Sequence, residues 1–264
     1  MPEITKAAAG TFCWIELGTT DVAAAKKFYG GLFGWTLTDV PMGAMPYSLA
    51  ALGDKQIAGL TVLSDAAKKM GAPPNWLSYV AVDDAAASAK KIAALGGKVL
   101  LGPLDIGQGH MVVAADPTGA VFATWQSVQS MGTWLMGEPG SLGWNELIST
   151  NEDKAVSFYK GLFGWSADPT EMPGMTYTIF KQGETMLAGS MAQPKQMAGA
   201  PSVWGVYFSV ADADKAAEKV TALGGKVLNP PMDIPNIGRF AVVADPQGAV
   251  FSVMKFLPPQ QPQK

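Results

Sequence analysis

Between Cys13 and Gly34 the chain changes its hydrophobic period. The stretch "CWIEL" is a short β-prone run, and after Thr20-Asp21 the apolar positions Val22, Ala25, Phe28, Tyr29 and Leu32 recur at helical spacing. Thr20-Asp21 supplies an N-cap and a first-turn carboxylate, and Gly34 is placed to close the helix in a left-handed cap. "YSLAAL" and "QIAGLTVL" then read as strands around the turn "GDK". A second unit opens at Trp76. There "WLSYVAV" is a strand and "DDAAASAKKIAAL" a helix stopped by Gly96-Gly97, with "KVLLG", "HMVVAA" and "AVFATW" as further strands. Asp116-Pro117-Thr118-Gly119 forms a tight turn before the last of them, Pro setting φ and Gly relieving strain.

The same order is then written again. Trp14 matches Trp144, Glu16 matches Glu146, and Phe28-Tyr29 matches Phe158-Tyr159 at a shift of 130. "LGGKVL" recurs at a shift of 128, and "ADPTGAVF" meets "ADPQGAVF" at 129. Offsets that differ by one or two residues mean small loop insertions between two copies of one domain. The pattern predicts an α+β chain of four β-α-β-β-β units, with curved sheets and helices packed on their outer face. The expected organisation is a first domain over residues 1–126, a linker at 127–140, a second domain at 141–257 and a flexible tail at 258–264. The two halves should pair about a pseudo-twofold axis, as fused copies of a dimer would.

Composition narrows the partners. With 264 residues, 48% of them hydrophobic, the chain can bury sizeable cores. A net charge of −3 offers no basic patch for a phosphate backbone, so nucleic acid is not an expected partner. No apolar run approaches the ~18 residues of a membrane span. The N-terminal apolar stretch is short and interrupted by charge, unlike a signal peptide. A single cysteine, Cys13, excludes an intrachain disulfide and suits a cytoplasmic location; it reads as a buried small hydrophobe.

Two local words carry a resemblance: a strand followed by "D-V-x-x-A-x-x-F-Y-x-x-x-F-G-W", and the closing "D-P-x-G-x-x-F". Across Thr11–Trp125 and Leu142–Lys255 the chain resembles the vicinal oxygen chelate superfamily, which includes glyoxalase I, bleomycin-resistance proteins and extradiol dioxygenases. It is most similar to two-domain, glyoxalase-like bacterial proteins. The resemblance implies that paired units curl into a half-open cup around a ligand, often with a divalent metal held by His and Glu.

The positions that the resemblance gives for metal ligands carry no suitable donors. They fall at Trp14 and Trp144, around Ala58-Gly59 and Ala188-Gly189, near Leu77 and Gly205, and at Ala123 and Ser252. The one histidine, His110, corresponds to Arg239 in the second half. No metal or other cofactor is therefore expected. Strand alternation places Glu16 on the same face as Trp14, and Glu146 on that of Trp144. With Tyr47, Tyr79 and Trp125 in the first half and Tyr177 and Tyr207 in the second, these residues predict cups with aromatic walls and one carboxylate each.

Three functions remain open on these residues. The first is metal-free binding of a small aromatic or hydrophobic molecule. The second is a lyase, isomerase or oxygenase acting on a small carbonyl or polyketide-like substrate, with Glu16 or Glu146 as base. The third is an interaction or regulatory protein with vestigial cups. Whether a cup forms within one half or between halves is not fixed by the pattern.

Overall fold

The computed structural model describes residues 3–4, 7–42, 45–69, 71–128, 134–172 and 174–258. In the N-terminal half the elements run β1 (Glu3–Ile4), β2 (Phe12–Thr19), α1 (Val22–Phe33), β3 (Thr36–Met42), β4 (Met45–Leu52), β5 (Lys55–Val62) and α2 (Asp65–Lys69). They continue through β6 (Asn75–Ala81), α3 (Ala85–Ala94), β7 (Lys98–Asp105), β8 (Gly109–Ala115), β9 (Val121–Ser127) and β10 (Trp134–Leu135). The C-terminal half repeats the plan with β11 (Leu142–Ser149), α4 (Glu152–Phe163), β12 (Ser166–Met172), β13 (Met175–Gln182) and β14 (Thr185–Ala192). It closes with β15 (Val203–Ser209), α5 (Ala213–Ala222), β16 (Lys226–Ile234), β17 (Gly238–Ala244) and β18 (Val250–Phe256).

Each half makes one sheet. The order β12-β13-β14-β11-β15-β18-β17-β16 in the second is matched in the first by β3-β4-β5-β2-β6-β9-β8-β7, with β1 and β10 added beside β5. In both, the opening strands of the two units pair antiparallel at the centre, β2 with β6 and β11 with β15. A cup is thus built from one half alone, which settles what the sequence pattern left open. Trp134 and Leu135, inside the expected linker, are buried, and Trp134 Nε1 donates to the Ile57 carbonyl at 2.9 Å. Residues 129–133 of that linker and 259–264 of the expected tail lie outside the described residues.

The helix signals resolve cleanly. Asp21 itself is the N-cap of α1, accepting from the Ala24 amide at 2.9 Å, so Thr20 is not the cap. Asn151 caps α4 in the same way, and Gly34 and Gly164 end these helices at φ 77° and 75°. That left-handed conformation favours glycine.

The helices lie on the convex faces, and the two halves share them. One core joins α1 and the neighbouring face of β2, β5 and β6 to Val206, Phe208, Val220, Val243 and Phe251 of the second half. The other joins Ile92, Val112 and Phe122 to Phe158, Tyr159 and Trp165. The first unit therefore backs onto the fourth, and the second onto the third. Polar links across the seam come in twofold-related pairs. Trp35 Nε1 donates to the Gly140 carbonyl and Trp165 Nε1 to that of Gly10, both at 2.7 Å. Lys219 Nζ reaches the Leu32 carbonyl at the end of α1, and Lys91 Nζ reaches Leu162 at the end of α4. These lysines meet carbonyls that a helix C-terminus leaves unpaired.

Candidate functional site

The concave faces hold the residues that strand parity assigns to the cups. Along β2, Ile15 and Leu17 are fully buried on the convex side, which turns Trp14 and Glu16 the other way. Glu16 stands in register with Gly59 on one neighbouring strand and Leu77 on the other. Trp14 is opposite Tyr79, and Tyr79 is opposite Ala123. In the second half Glu146 lies between Gly189 and Gly205, Trp144 opposite Tyr207, and Tyr207 opposite Ser252.

These side chains form one hydrogen-bonded array per cup. In the first, Trp14 Nε1 donates to the Tyr47 hydroxyl at 3.0 Å, and the Tyr79 hydroxyl donates to Glu16 Oε1 at 3.2 Å. Tyr47 also bonds Glu16. In the second, Trp144 Nε1 donates to the Tyr177 hydroxyl at 2.9 Å and that hydroxyl donates to Glu146 Oε2 at 3.1 Å. The Tyr207 hydroxyl donates to the other oxygen of Glu146, Oε1, at 2.7 Å. In each array the indole donates to a phenol and the phenols donate to the carboxylate. Gly59 and Gly189 make it possible, because a Cβ at either position would collide with the tyrosine hydroxyl bound to the carboxylate.

Burial pushes the carboxyls of Glu16 and Glu146 above the ordinary range, because the charged form loses water, and the phenol donors pull them part of the way back. Burial also raises Tyr47, Tyr79, Tyr177 and Tyr207, with the adjacent carboxylate adding to it, so all four remain neutral donors. Glu16 keeps some accessible surface although protein surrounds it, as expected at the floor of a concavity.

Trp125 joins the first cup by a different route. It lies on β9 two residues beyond Ala123, buried, with its backbone in register with Met111. It makes no hydrogen bond to the array in the way that Trp14 does. Trp76 and Trp204, on the same strands as Tyr79 and Tyr207, turn instead to the convex core, where their Nε1 groups donate to the Tyr29 and Tyr159 hydroxyls. His110, on β8, stands in register with Gln126 of β9, and its counterpart Arg239 is held by Asp214 and Asp233. A groove of about 250 Å³ lined by Asp83, Asp84, Ser88, Lys91, Leu162 and Phe163, among others, lies outside both cups along the seam between halves.

A chelated metal does not fit these cups. A protein metal centre draws on three or four converging imidazole, carboxylate or thiolate donors. The positions flanking Glu16 and Glu146 are Gly59, Leu77, Gly189 and Gly205, and each carboxylate already accepts from two phenols. Among the described residues no three His, Cys, Asp or Glu side chains gather in one place.

Comparison with known proteins gives the lineage. CFP32 of Mycobacterium tuberculosis, whose name proposes a glyoxylase, is 43% identical over 98% of this chain and 100% of its own length. The anthracycline biosynthesis protein DnrV of Streptomyces peucetius is 37% identical over 96% of this chain and 95% of its own. Among solved structures, the Mn(II)-bound glyoxalase of Novosphingobium aromaticivorans superposes with a TM-score of 0.66 at 16% identity, covering 95% of this chain and 83% of that one. The 2,3-dioxygenase LapB of Pseudomonas sp. KL28 does so at 0.63 and 13%, covering 97% and 98%. At such identities the superpositions speak for the fold alone. No described helix is long and apolar enough to cross a membrane. The family model matches twice, at residues 11–124 and 141–253, and the chain belongs to the Glyoxalase/Bleomycin resistance protein/Dioxygenase superfamily.

Proposed function

We propose that this chain binds a small, flat, hydroxylated aromatic molecule in a cup that works without a metal. The observation that carries this reading is the Trp–Tyr–Glu–Tyr array on each concave face. The aromatic side chains offer apolar area and stacking, and the carboxylate, whose two oxygens each hold one phenol donor, has lone pairs left for a ligand hydroxyl. A ligand O–H donating to Glu146 completes the array and compensates the desolvated charge. Two relatives at 37% identity are named for anthracycline biosynthesis, a chemistry of fused aromatic rings bearing hydroxyls, which fits such a wall.

The direct test is titration of an anthracycline aglycone into chelator-treated protein, followed by calorimetry and tryptophan quenching. Saturable binding with a Kd of about 1–100 μM is expected, unchanged by added Mn²⁺, Zn²⁺ or Fe²⁺. A panel of hydroxylated polycyclic aromatics that neither binds nor raises the melting temperature overturns the reading. So does binding that requires stoichiometric metal.

The raised carboxyl favours a second reading. A carboxylate displaced towards neutrality by burial, with phenols beside it, is suited to take a proton from an acidic C–H or O–H of a carbonyl compound. The chain is then a lyase, isomerase or oxygenase with Glu16 or Glu146 as base. Turnover of a carbonyl or polyketide substrate that survives Glu16→Gln and Glu146→Gln together excludes that role.

A further inference from the structure

The two cups share the array but differ in the wall beside it. In the first, the residue across from Glu16 on β6 is Leu77; in the second, the residue across from Glu146 on β15 is Gly205. A Cβ added at Gly205 meets nothing nearer than the Glu146 carbonyl oxygen at 3.7 Å. The backbone there faces open space, while the other glycine beside Glu146, Gly189, has its space filled by the Tyr177 hydroxyl. The aromatic wall differs in the same sense. Trp14 and Tyr47 are each 7% exposed, whereas Trp144 and Tyr177 keep more accessible surface. Further along, Ala123 and Trp125 of the first cup are replaced by Ser252 and Met254.

From these differences, resting on the proposed binding of a flat aromatic molecule, we infer that the C-terminal cup is the one that admits the ring, and that the Leu77/Gly205 position decides it. A ring can lie against a strand only where no side chain projects. Bare backbone at Gly205 gives it that surface next to Glu146, with the accessible faces of Trp144 and Tyr177 beside it. In the first cup the Leu77 side chain stands on the same surface. The carboxylates run the other way, with Glu146 8% exposed and Glu16 more open; Tyr207 bonds Glu146 at 2.7 Å and Tyr79 bonds Glu16 at 3.2 Å. What separates the cups is therefore the wall and not the floor.

The test has two arms. In the first, an anthracycline aglycone is titrated into the wild-type chain, Gly205→Leu and Leu77→Gly. The expected result is one equivalent per chain, affinity weakened about tenfold or more by Gly205→Leu, and a second equivalent gained in Leu77→Gly. Two equivalents in the wild type, or one that ignores Gly205→Leu while the melting temperature shows a folded variant, overturns the inference. The second arm needs no ligand. Hydroxyl-radical footprinting of the wild-type chain should oxidise Trp144 and Tyr177 several-fold faster than Trp14 and Tyr47. Equal or reversed rates overturn the assignment of the open cup. If no aglycone binds the wild type, the proposed ligand class fails, and the footprint alone decides which cup is open.

Discussion

Replacing Gly189 with Ala tests the array at its tightest point. The φ of Gly189 lies outside the left-handed region, so the backbone accepts a side chain and the whole effect comes from contact. The new methyl group would occupy the place of the Tyr177 hydroxyl, and the ring would have to move. Its displacement removes the 3.1 Å bond to Glu146 Oε2 and the 2.9 Å bond from Trp144 Nε1. A hydrogen bond to a charged group contributes about 1.5–3 kcal/mol and a neutral one about 1. Repacking around an added methyl costs about 1–3 kcal/mol more, set against a gain below about 1 from stiffening the unfolded chain. The net expectation is a loss of roughly 2.5–7 kcal/mol, read as a fall in the urea midpoint at unchanged m. Two controls make it specific. Gly205→Ala has room for its methyl and should shift stability by less than about 0.5 kcal/mol. In the Tyr177→Ala background, Gly189→Ala should cost little, giving a coupling energy nearly as large as the single-variant loss. A Gly189→Ala protein as stable as the wild type, or equal costs with and without Tyr177, would refute the steric and hydrogen-bonding account of this site.

Other outcomes follow from the same geometry. Because burial raises the folded-state carboxyls of Glu16 and Glu146 above their unfolded values, the folded chain holds more protons between the two, so stability falls as pH rises through that window. The double variant Glu16→Gln/Glu146→Gln should lose this slope in melting curves taken from pH 4 upwards, each unit of displacement being about 1.4 kcal/mol. Cys13, with its thiol pushed up to about 12 by burial, should resist a disulfide-exchange reagent at pH 8 until the chain is unfolded by denaturant. Tyr29→Phe removes a buried hydroxyl that accepts from Trp76 and donates to Asp245 of the other half at 3.1 Å, and should lower stability by about 1–3 kcal/mol. The halves expressed separately should fail to give stable monomers, since each exposes the helix face that the other covers; sedimentation and circular dichroism would show this.

Much of the architecture was legible because duplication repeats its own punctuation. Asp21, Asn151, Gly34 and Gly164 mark the ends of the first helix of each half, and the Asp-Pro-x-Gly turns fall where the sequence puts them. Parity brought Trp14 and Glu16 to one face, because a strand whose intervening residues are Ile and Leu has no other way to bury them, and the ligand positions that the resemblance implies brought Tyr79 to the same face through Leu77. Strands β3 and β12 were not located. "SADPTEM" is largely polar and "TLTDVPM" mixed; both contain proline and sit at the sheet edge, where one ladder is missing and neither alternation nor burial marks them. Tyr29 and Tyr159 read as packing residues for their own sheets. They also face Asp245 and Asp116 of the opposite half, a long-range pairing that local periodicity cannot express. The linker looked polar and Gly-rich, yet Trp134 within it adds a buried strand to the first sheet, so composition misjudged that stretch.

The placement of the carboxylates bears on what the cups are for. The halves are joined on their convex sides, where Ser78 meets Asn145 at 2.7 Å and the aromatic cores interlock. Glu16 and Glu146 lie on the concave sides and take no part in that union. A desolvated carboxylate is weak support for a fold, since an apolar residue of similar volume often serves as well or better. Here both cups keep the acid, the two phenols, the indole that orients one of them and the glycine that makes room for it. Trp14, Tyr79 and Trp125 also belong to the buried core, so the aromatic residues serve the fold, but the paired donors around a desolvated acid go beyond packing and support a role in gripping a ligand. The divergence at Leu77 and Gly205 then has a simple physical sense. One copy of the array holds a bulky wall beside its acid, and the other leaves that wall bare for a ring.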